Sequence, residues 1–163
     1  MAVEDKYINA DLVAGKKGAL GRSHGGEKIC MVETFEISAA DSVNSVYRVF
    51  KNLNPELIPV AIRISTDALG GSCAIDLGLH ESGVGGAAKD ADVFSDGYSP
   101  VSAARDADAL NTPAIENLVK PIYEHAGDTV STRETGYDLT VTLKAVAASA
   151  GTVTIKAEFI NAA

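Results

Sequence analysis

Two runs near the end of the chain decide the fold class: Leu139-Thr-Val-Thr-Leu-Lys-Ala145 and Val153-Thr-Ile-Lys-Ala-Glu-Phe159. Apolar and polar residues alternate strictly in both, and this period of two is typical of a β-strand with one buried face. The connection between the runs is short and contains Ala148-Ser-Ala-Gly151. A short, glycine-containing connection between two such strands predicts a β-hairpin.

A second pair of runs in the middle of the chain has the same pattern. Residues 57–65 place Val60, Ile62 and Ile64 on one predicted face, and the alternation resumes over residues 73–79. The intervening segment carries Gly70 and Gly71, and glycine adopts the positive φ angles of a turn at little cost. The pattern therefore predicts a second hairpin.

Further strand signals at residues 28–36 and 42–50 bring the number of predicted strands to six or more. Residues 81–111 form a long connection, in which residues 102–109 are expected to make one or two helical turns. Thr112-Pro113 predicts a helix start, because Thr caps helices well and Pro suits the first helical position. The predicted fold is mostly β: an antiparallel β-sandwich of the jelly-roll type, with one or two short helices in the long connection.

The first 27 residues differ from the rest of the chain. Residues 13–26 contain many glycines and few large apolar side chains. We therefore divide the chain into an extended or flexible N-terminal arm, residues 1–27, and a single β-sandwich domain, residues 28–163. The arm is either a disordered terminus or a segment that becomes ordered against a neighbouring subunit.

Composition and charge argue against several classes of function. The 163 residues carry 14 Lys and Arg against 22 Asp and Glu, a formal net charge of −8. Binding to nucleic-acid phosphates needs clustered basic residues, so no direct nucleic-acid partner is expected. The chain opens with charged residues and has no run near the roughly 20 apolar residues of a membrane span. This predicts no membrane partner and synthesis in a cytoplasm.

The two cysteines, Cys30 and Cys73, are predicted to be reduced, buried thiols. Proteins made in a reducing cytoplasm rarely keep disulfides, and unpaired cysteine behaves as a small apolar residue. Two cysteines in a domain of this size are not a disulfide framework, although the sequence leaves a bond between them open.

No motif assembles a catalytic site. Gly83-Val-Gly-Gly-Ala-Ala88 has the spacing of a phosphate-binding loop, but no long amphipathic helix follows it, so a plain loop is the better interpretation. Asp90-Ala-Asp-Val-Phe-Ser-Asp96 follows part of a calcium-loop spacing, yet Phe94 and Val101 occupy ligand positions. A solvated acidic loop is favoured over a weak cation site. We predict no catalytic residue, no cofactor and no metal ligand.

The polar face of the predicted C-terminal hairpin is a further candidate surface. It would bring together Thr140, Thr142, Lys144, Thr152, Thr154 and Lys156. Such a face is either the solvated side of a hairpin, which is the commoner case, or a polar binding face.

Three segments resemble a known group of proteins. They are Glu56-Leu-Ile-Pro-Val-Ala-Ile-Arg-Ile-Ser-Thr-Asp-Ala-Leu-Gly-Gly-Ser-Cys-Ala-Ile-Asp-Leu-Gly-Leu79, Asp90-Ala-Asp-Val-Phe94 and Gly151-Thr-Val-Thr-Ile-Lys-Ala-Glu-Phe-Ile160. Together they are similar to segments of small virion proteins of tailed bacteriophages. That group includes capsid decoration, or cement, proteins with jelly-roll folds. The resemblance covers residues 56–94 and the last 25 residues, and leaves the arm unexplained.

The resemblance implies a structural virion protein rather than an enzyme, made in the host bacterial cytoplasm and located on the capsid surface of the virion. Such a protein would sit on the outer surface of a phage capsid as a homotrimer, bind the major capsid protein and stabilise the shell by bridging capsomers. The residues expected to contact the capsid or a sister subunit are Lys16, Lys17, Arg22, Phe94 and Tyr98.

Two other functions stay open. Another virion β domain, in a tail tube or associated with a fibre, would have the same composition and strand pattern. A carbohydrate-binding module is less favoured, because such sites present aromatic platforms and the chain has no Trp, five Tyr and four Phe.

Overall fold

The computed structural model describes residues 5–7, 27–110, 117, 119–129 and 136–161. These residues form nine strands and one short helix, in chain order β1 (Asp5–Tyr7), β2 (Glu27–Ile37), β3 (Val46–Leu53), β4 (Leu57–Thr66), β5 (Ala74–Glu81), β6 (Ala88–Tyr98), β7 (Ala104–Asp108), α1 (Ile122–His125), β8 (Tyr137–Ala145) and β9 (Gly151–Asn161).

The strands form two sheets that face each other. One has four strands in the order β2-β9-β4-β7, and the other has five in the order β1-β3-β8-β5-β6. Strand β1 runs parallel to β3, and every other pairing is antiparallel. Counted from β2, the eight strands follow the order of a jelly roll, in which two Greek keys fold together. The predicted antiparallel jelly-roll β-sandwich is therefore confirmed.

Both predicted hairpins are wrong in their pairing. Strand β9 pairs with β2 from Glu27↔Asn161 to Ile37↔Gly151 and with β4 on its other side, whereas β8 lies between β3 and β5 in the opposite sheet. Strands β4 and β5 are likewise in different sheets. The period of two specifies which face of a strand is buried but not which strand lies beside it. In each case the second strand lies in the opposite sheet, so the apolar faces of the two strands meet in one core.

The long connection predicted at residues 81–111 contains two strands, β6 and β7. Residues 102–109, expected to be helical, include β7, which pairs with β4 at the edge of the four-stranded sheet. The hydrogen bonds of that edge outweigh the weak helical preference of a short Ala- and Asp-rich segment. The predicted helix start at Thr112-Pro113 lies outside the described residues. The helix that is described, α1, follows Pro121 in the connection between β7 and β8.

The core lies between the two sheets and follows the predicted alternation closely. Buried positions in β2, β4, β5, β8 and β9 are Phe35, Ile37, Ile62, Ile64, Ile75, Leu77, Leu79, Leu139, Val141, Leu143, Val153, Ile155, Ala157 and Phe159. Val60 is an exception, because the β4–β9 register shifts between Pro59 and Ala61 and leaves its side chain exposed. A bulge of this kind reverses the side on which a residue points.

The two cysteines differ in burial. Cys73 is buried, as predicted, and burial raises the pKa of its thiol. Cys30 is exposed on β2, so the prediction of burial is wrong for this residue. Its place beside Glu158 in the β2–β9 register puts it on the outer face of the four-stranded sheet. Both thiols are free.

Two further expectations concern the N-terminal arm and membrane-spanning segments. Residues 5–7 of the predicted arm form β1, and residues 8–26 are outside the described part of the chain. The division into arm and domain stays a prediction. Among the described residues, no helix has the length and apolar character needed to cross a lipid bilayer.

Candidate functional site

The outer face of the five-stranded sheet is covered by the chain itself. Alternate residues of β5 and β8 point away from the core here, yet Asp76, His80, Asp138 and Thr140 are all buried. The start of β6 folds closely over β5 at Gly78, where an added Cβ would lie 2.2 Å from the backbone of Ala91. A side chain at that position would collide with the covering strand, so the close contact requires glycine.

A buried ion pair lies at the centre of this covered face. The Arg48 guanidinium, on β3, donates to a carboxylate oxygen of Asp138, on β8, over 2.9 Å, and both side chains are wholly inaccessible to solvent. Arg48 also donates to the backbone carbonyls of Glu81 (2.9 Å) and Gly86 (2.8 Å). A planar guanidinium with several donors is well suited to joining three acceptors in this way.

Asp138 completes the network from the other side. Its Oδ1 accepts hydrogen bonds from the Asn52 N–H at 2.8 Å and from the Ser82 hydroxyl at 2.6 Å. The ion pair thereby ties β3 and β8 to the β5–β6 turn. Gly86 is part of this turn and lies close to the end of β5, since a Cβ at Gly86 would be 2.0 Å from the Glu81 carbonyl oxygen. A buried charge that meets a counter-charge and several hydrogen-bonding groups is tolerated, so the arrangement is a structural clamp.

His80 and Thr140 form a second polar contact on the covered face. A ring nitrogen of His80 lies 2.9 Å from the Thr140 hydroxyl, which itself donates to the Gly78 carbonyl at 3.2 Å. Both side chains are buried. Because the hydroxyl proton is directed to a backbone carbonyl, this pair holds neighbouring strands together and is not arranged as a nucleophile and its base.

The outer face of the four-stranded sheet is open. Lys28 and Glu158 form an ion pair at 2.6 Å across β2 and β9, and the hydroxyls of Thr34 and Thr154 are 2.9 Å apart. The exposed Lys28 ammonium holds the pKa of the Glu158 carboxyl below its usual range. Among these polar groups Val32 leaves 47% of its surface exposed. This face presents both polar and apolar side chains to solvent.

The predicted polar face of the last two strands is therefore not one surface. Thr152 and Thr154 belong to the open face of the four-stranded sheet, whereas Thr140 and Thr142 are buried on the covered face of the other sheet. The separation follows from placing β8 and β9 in different sheets.

The acidic residues of the predicted loop lie on β6, beside the covered face. Asp92 and Asp96 come together with Asp76 of β5, and their carboxylate oxygens lie within 4.8 Å of one another. The Lys144 ammonium contacts Asp96 and lies 3.7 Å from Asp76. The sequence did not indicate Asp76, because only strand pairing brings it beside the other two carboxylates.

The helix α1 closes the end of the sandwich at which β3 ends and β4 begins. His125 packs its ring on Phe94, with centroids 5.2 Å apart. Burial lowers the pKa of His125, because the charged imidazolium is poorly solvated there, and Lys120 lowers it further. Nearby, the Tyr137 hydroxyl donates to Asp128 and lowers the pKa of that carboxyl.

The predicted contact residues fall into three groups. Lys16, Lys17 and Arg22 lie outside the described residues. Phe94 is fully buried in the core, against His125. Tyr98 is half-buried and packs against the core from the end of β6, which leaves part of its ring accessible. A contact with a partner at any of these positions stays a prediction.

The ion pair between Arg48 and Asp138 was not predicted from the sequence. A charged residue within the apolar run of β3 was a signal, because a strand with both faces buried can hold such a residue only with a partner. The identity of that partner depended on the β3–β8 register, in which Arg48 lies opposite Thr140.

The chain is similar to known proteins in its fold and not in its sequence. No protein-family model and no curated protein sequence matches the chain. A chain in the capsid of Ralstonia phage GP4 superposes with a TM-score of 0.61 at 13% identity, over 96% of this chain and 99% of that one. A chain in the capsid asymmetric unit of cyanophage Pam1 gives 0.53 at 16% identity, over 93% and 96%. At these identities the likeness shows a shared fold along nearly the whole length.

Proposed function

We propose that this protein is a structural component of a tailed-phage virion that binds the outer surface of the capsid and stabilises the shell by bridging capsomers. The observation that carries the proposal is the jelly-roll fold, shared end to end with chains of two phage capsids. The partners are the major capsid protein and two further copies of the same chain. The protein acts mechanically and not as an enzyme.

The two outer faces of the sandwich support a binding role of this kind. One is sealed by the protein's own chain around the Arg48–Asp138 ion pair, and the other presents exposed side chains along β2, β9 and β4. A rigid β-sandwich with an open face can add interface area to an assembled shell, and such binding stabilises the bound state by mass action. A net charge of −8 also disfavours attachment to packaged DNA.

The direct experiment mixes the purified protein with heads of its phage that lack it. Co-sedimentation and cryo-electron microscopy should place it on the outer surface, and decorated heads should survive heating that opens bare ones. Light scattering should give three times the chain mass. Density inside the shell, or no binding to heads, would contradict the proposal, and rings of six in solution would favour a tail tube.

The arm is tested separately from the sandwich. Deleting residues 1–27, or changing Lys16, Lys17 and Arg22 to Ala, should weaken binding to bare heads about tenfold or more, which is the loss of a few contacts. Arg105→Ala is the matched control, since Arg105 is an exposed arginine outside the arm. Undiminished binding of the truncated chain would remove the arm from the proposed contact.

The β6 end is tested at Tyr98. Tyr98→Ala should reduce binding to heads or to sister subunits, because its ring is partly accessible. Tyr123→Ala is the control, as Tyr123 is also half-buried against the core but lies in α1. Equal loss in both variants would indicate a general effect on folding and count against a contact at Tyr98.

A further inference from the structure

A buried threonine lies next to the cluster formed by Asp76, Asp92 and Asp96. Thr142, on β8, is 91% buried, and its hydroxyl has no hydrogen-bond partner among the described residues. The β5–β8 register places Thr142 directly opposite Asp76. Buried hydroxyl groups are almost always satisfied, so an unpartnered one opposite Asp76 is a candidate ligand for an ion held by the cluster.

The direction of the Thr142 side chain follows from its strand. Lys144 is two residues further along β8 and therefore points to the same side of the sheet. Its ammonium lies 3.7 Å from Asp76, which fixes that side as the one bearing the cluster. Side chains directly opposite on one face of an antiparallel pair have Cβ atoms about 5 Å apart. The Thr142 side chain therefore lies beside Asp76, on the side of the sheet that bears the carboxylates.

The geometry points to a divalent-cation site, which we propose to be a calcium site formed by Asp76, Asp92, Asp96 and the Thr142 hydroxyl. Ligand oxygens about 2.4 Å from a calcium ion can be at most about 4.8 Å apart, and the three carboxylates meet that limit. Asp76 is held in place, since its Oδ1 accepts the Gly97 N–H at 2.7 Å. Water would supply the remaining ligands at the exposed side.

Lys144 is the group that the ion displaces. It contributes one positive charge against three carboxylates, so the local charge is still negative, and its side chain is 47% exposed. An exposed, flexible lysine can move its ammonium into solvent when a divalent ion enters. Calcium is preferred over magnesium because it accepts irregular oxygen sets, whereas magnesium demands near-octahedral geometry.

The test uses the full chain, without capsids, so its outcome does not depend on the proposed virion role. Titration calorimetry with CaCl₂ should show one ion per chain with a dissociation constant on the order of 10⁻⁴–10⁻³ M, as for weak extracellular sites. Calcium should raise the midpoint of thermal unfolding, and EDTA should reverse the rise. Absence of both heat and midpoint change up to about 10 mM CaCl₂ would overturn the proposal.

Carboxylate variants locate the site. Asp92→Asn and Asp96→Asn should each weaken calcium binding about tenfold or more, while stability without calcium stays equal or rises because like-charge repulsion is relieved. The control is Asp106→Asn, an exposed aspartate of β7 at φ 49°, a conformation that Asn also tolerates. A calcium response that survives both cluster variants would place the ion elsewhere and refute the site.

Two further variants separate a cation site from a simple Lys–Asp cluster. Thr142→Val keeps the shape but removes the hydroxyl, so calcium binding should weaken several-fold while calcium-free stability is kept or improved. Lys144→Gln removes the competing ammonium and should tighten calcium binding at least about threefold. Unchanged binding in Thr142→Val would exclude the hydroxyl as a ligand, and weaker binding in Lys144→Gln would contradict displacement. Equal affinity for Mg²⁺ would contradict the calcium assignment.

Discussion

The outer faces of the two sheets are built from similar alternating strands but differ in what covers them. The five-stranded sheet buries Arg48 and Asp138 beneath the β5–β6 turn, whereas the four-stranded sheet leaves Lys28 and Glu158 beside solvent. The buried ion pair should be required for stability, whereas the exposed ion pair of the same formal charges should contribute little to it. Burial, and not the presence of charge, therefore decides which polar contacts the fold depends on.

The largest effect is expected from breaking the buried pair. Arg48→Met should lower the free energy of unfolding by about 3–5 kcal/mol, because it leaves the Asp138 carboxylate buried without a counter-charge. Urea denaturation measures the loss. The double variant with Asp138→Leu should recover a large part of it, since both charges are then gone. A single variant as stable as the parent protein would show that the pair is not the centre of this face.

A smaller effect is expected at the covering turn. Gly86→Ala would place a Cβ 2.0 Å from the Glu81 carbonyl oxygen, so the turn must shift and its hydrogen bonds to Arg48 are strained. The expected loss is about 1–3 kcal/mol, the usual range for overpacking. The control is Gly85→Asn, at φ 70° with open space around it, where the change should be slight. Equal losses in both variants would mean that turn conformation, and not close approach, sets the requirement.

The buried end at α1 should make stability depend on pH. The pKa of His125 is lowered from its usual 6.5 by burial, so the unfolded chain binds a proton that the folded chain refuses. This contribution is fully present above the unfolded pKa and is lost as pH falls below it. His125→Phe should therefore lose less stability than the parent protein between pH 7 and pH 5. Parallel pH profiles for the two proteins would assign the acid sensitivity to other groups.

The smallest effect is expected on the open face. Thr34→Val removes the exposed hydrogen bond to Thr154 and should change the free energy of unfolding by no more than about 0.5 kcal/mol. Thr140→Val on the covered face is the matched variant, and it should cost more because it removes two buried hydrogen bonds, to His80 and to the Gly78 carbonyl. Similar losses of unfolding free energy in the two variants would show that burial does not distinguish the two faces.

Much of the fold could be predicted from sequence. The alternation in β8 and β9 predicted both strands and their buried faces, since apolar residues at every second position must face a core. The jelly-roll type was also predicted. The strand in residues 102–109 was not, because a short edge strand of Ala and Asp has little pattern and owes its conformation to pairing with β4.

The candidate sites were less accessible to sequence. The acidic run on β6 was visible, but Asp76 and Thr142 are 16 and 50 residues from Asp92, and no local spacing connects them. Phe94 was predicted to contact the capsid or a sister subunit, and in the structure it is a core residue that packs on His125. Positions on one strand were predicted well, and combinations across strands were not.

By itself the sequence determined six strands, β2 to β5 with β8 and β9, most of their core residues and the acidic character of the segment that forms β6. Only the tertiary structure decided that β8 and β9 lie in different sheets, that Arg48 meets Asp138, and that Asp76 joins the carboxylates of β6. The physical reason is that side-chain periodicity is a property of one strand. Pairing, register and covering turns depend on contacts between residues far apart in the chain, and these contacts also assemble its polar clusters.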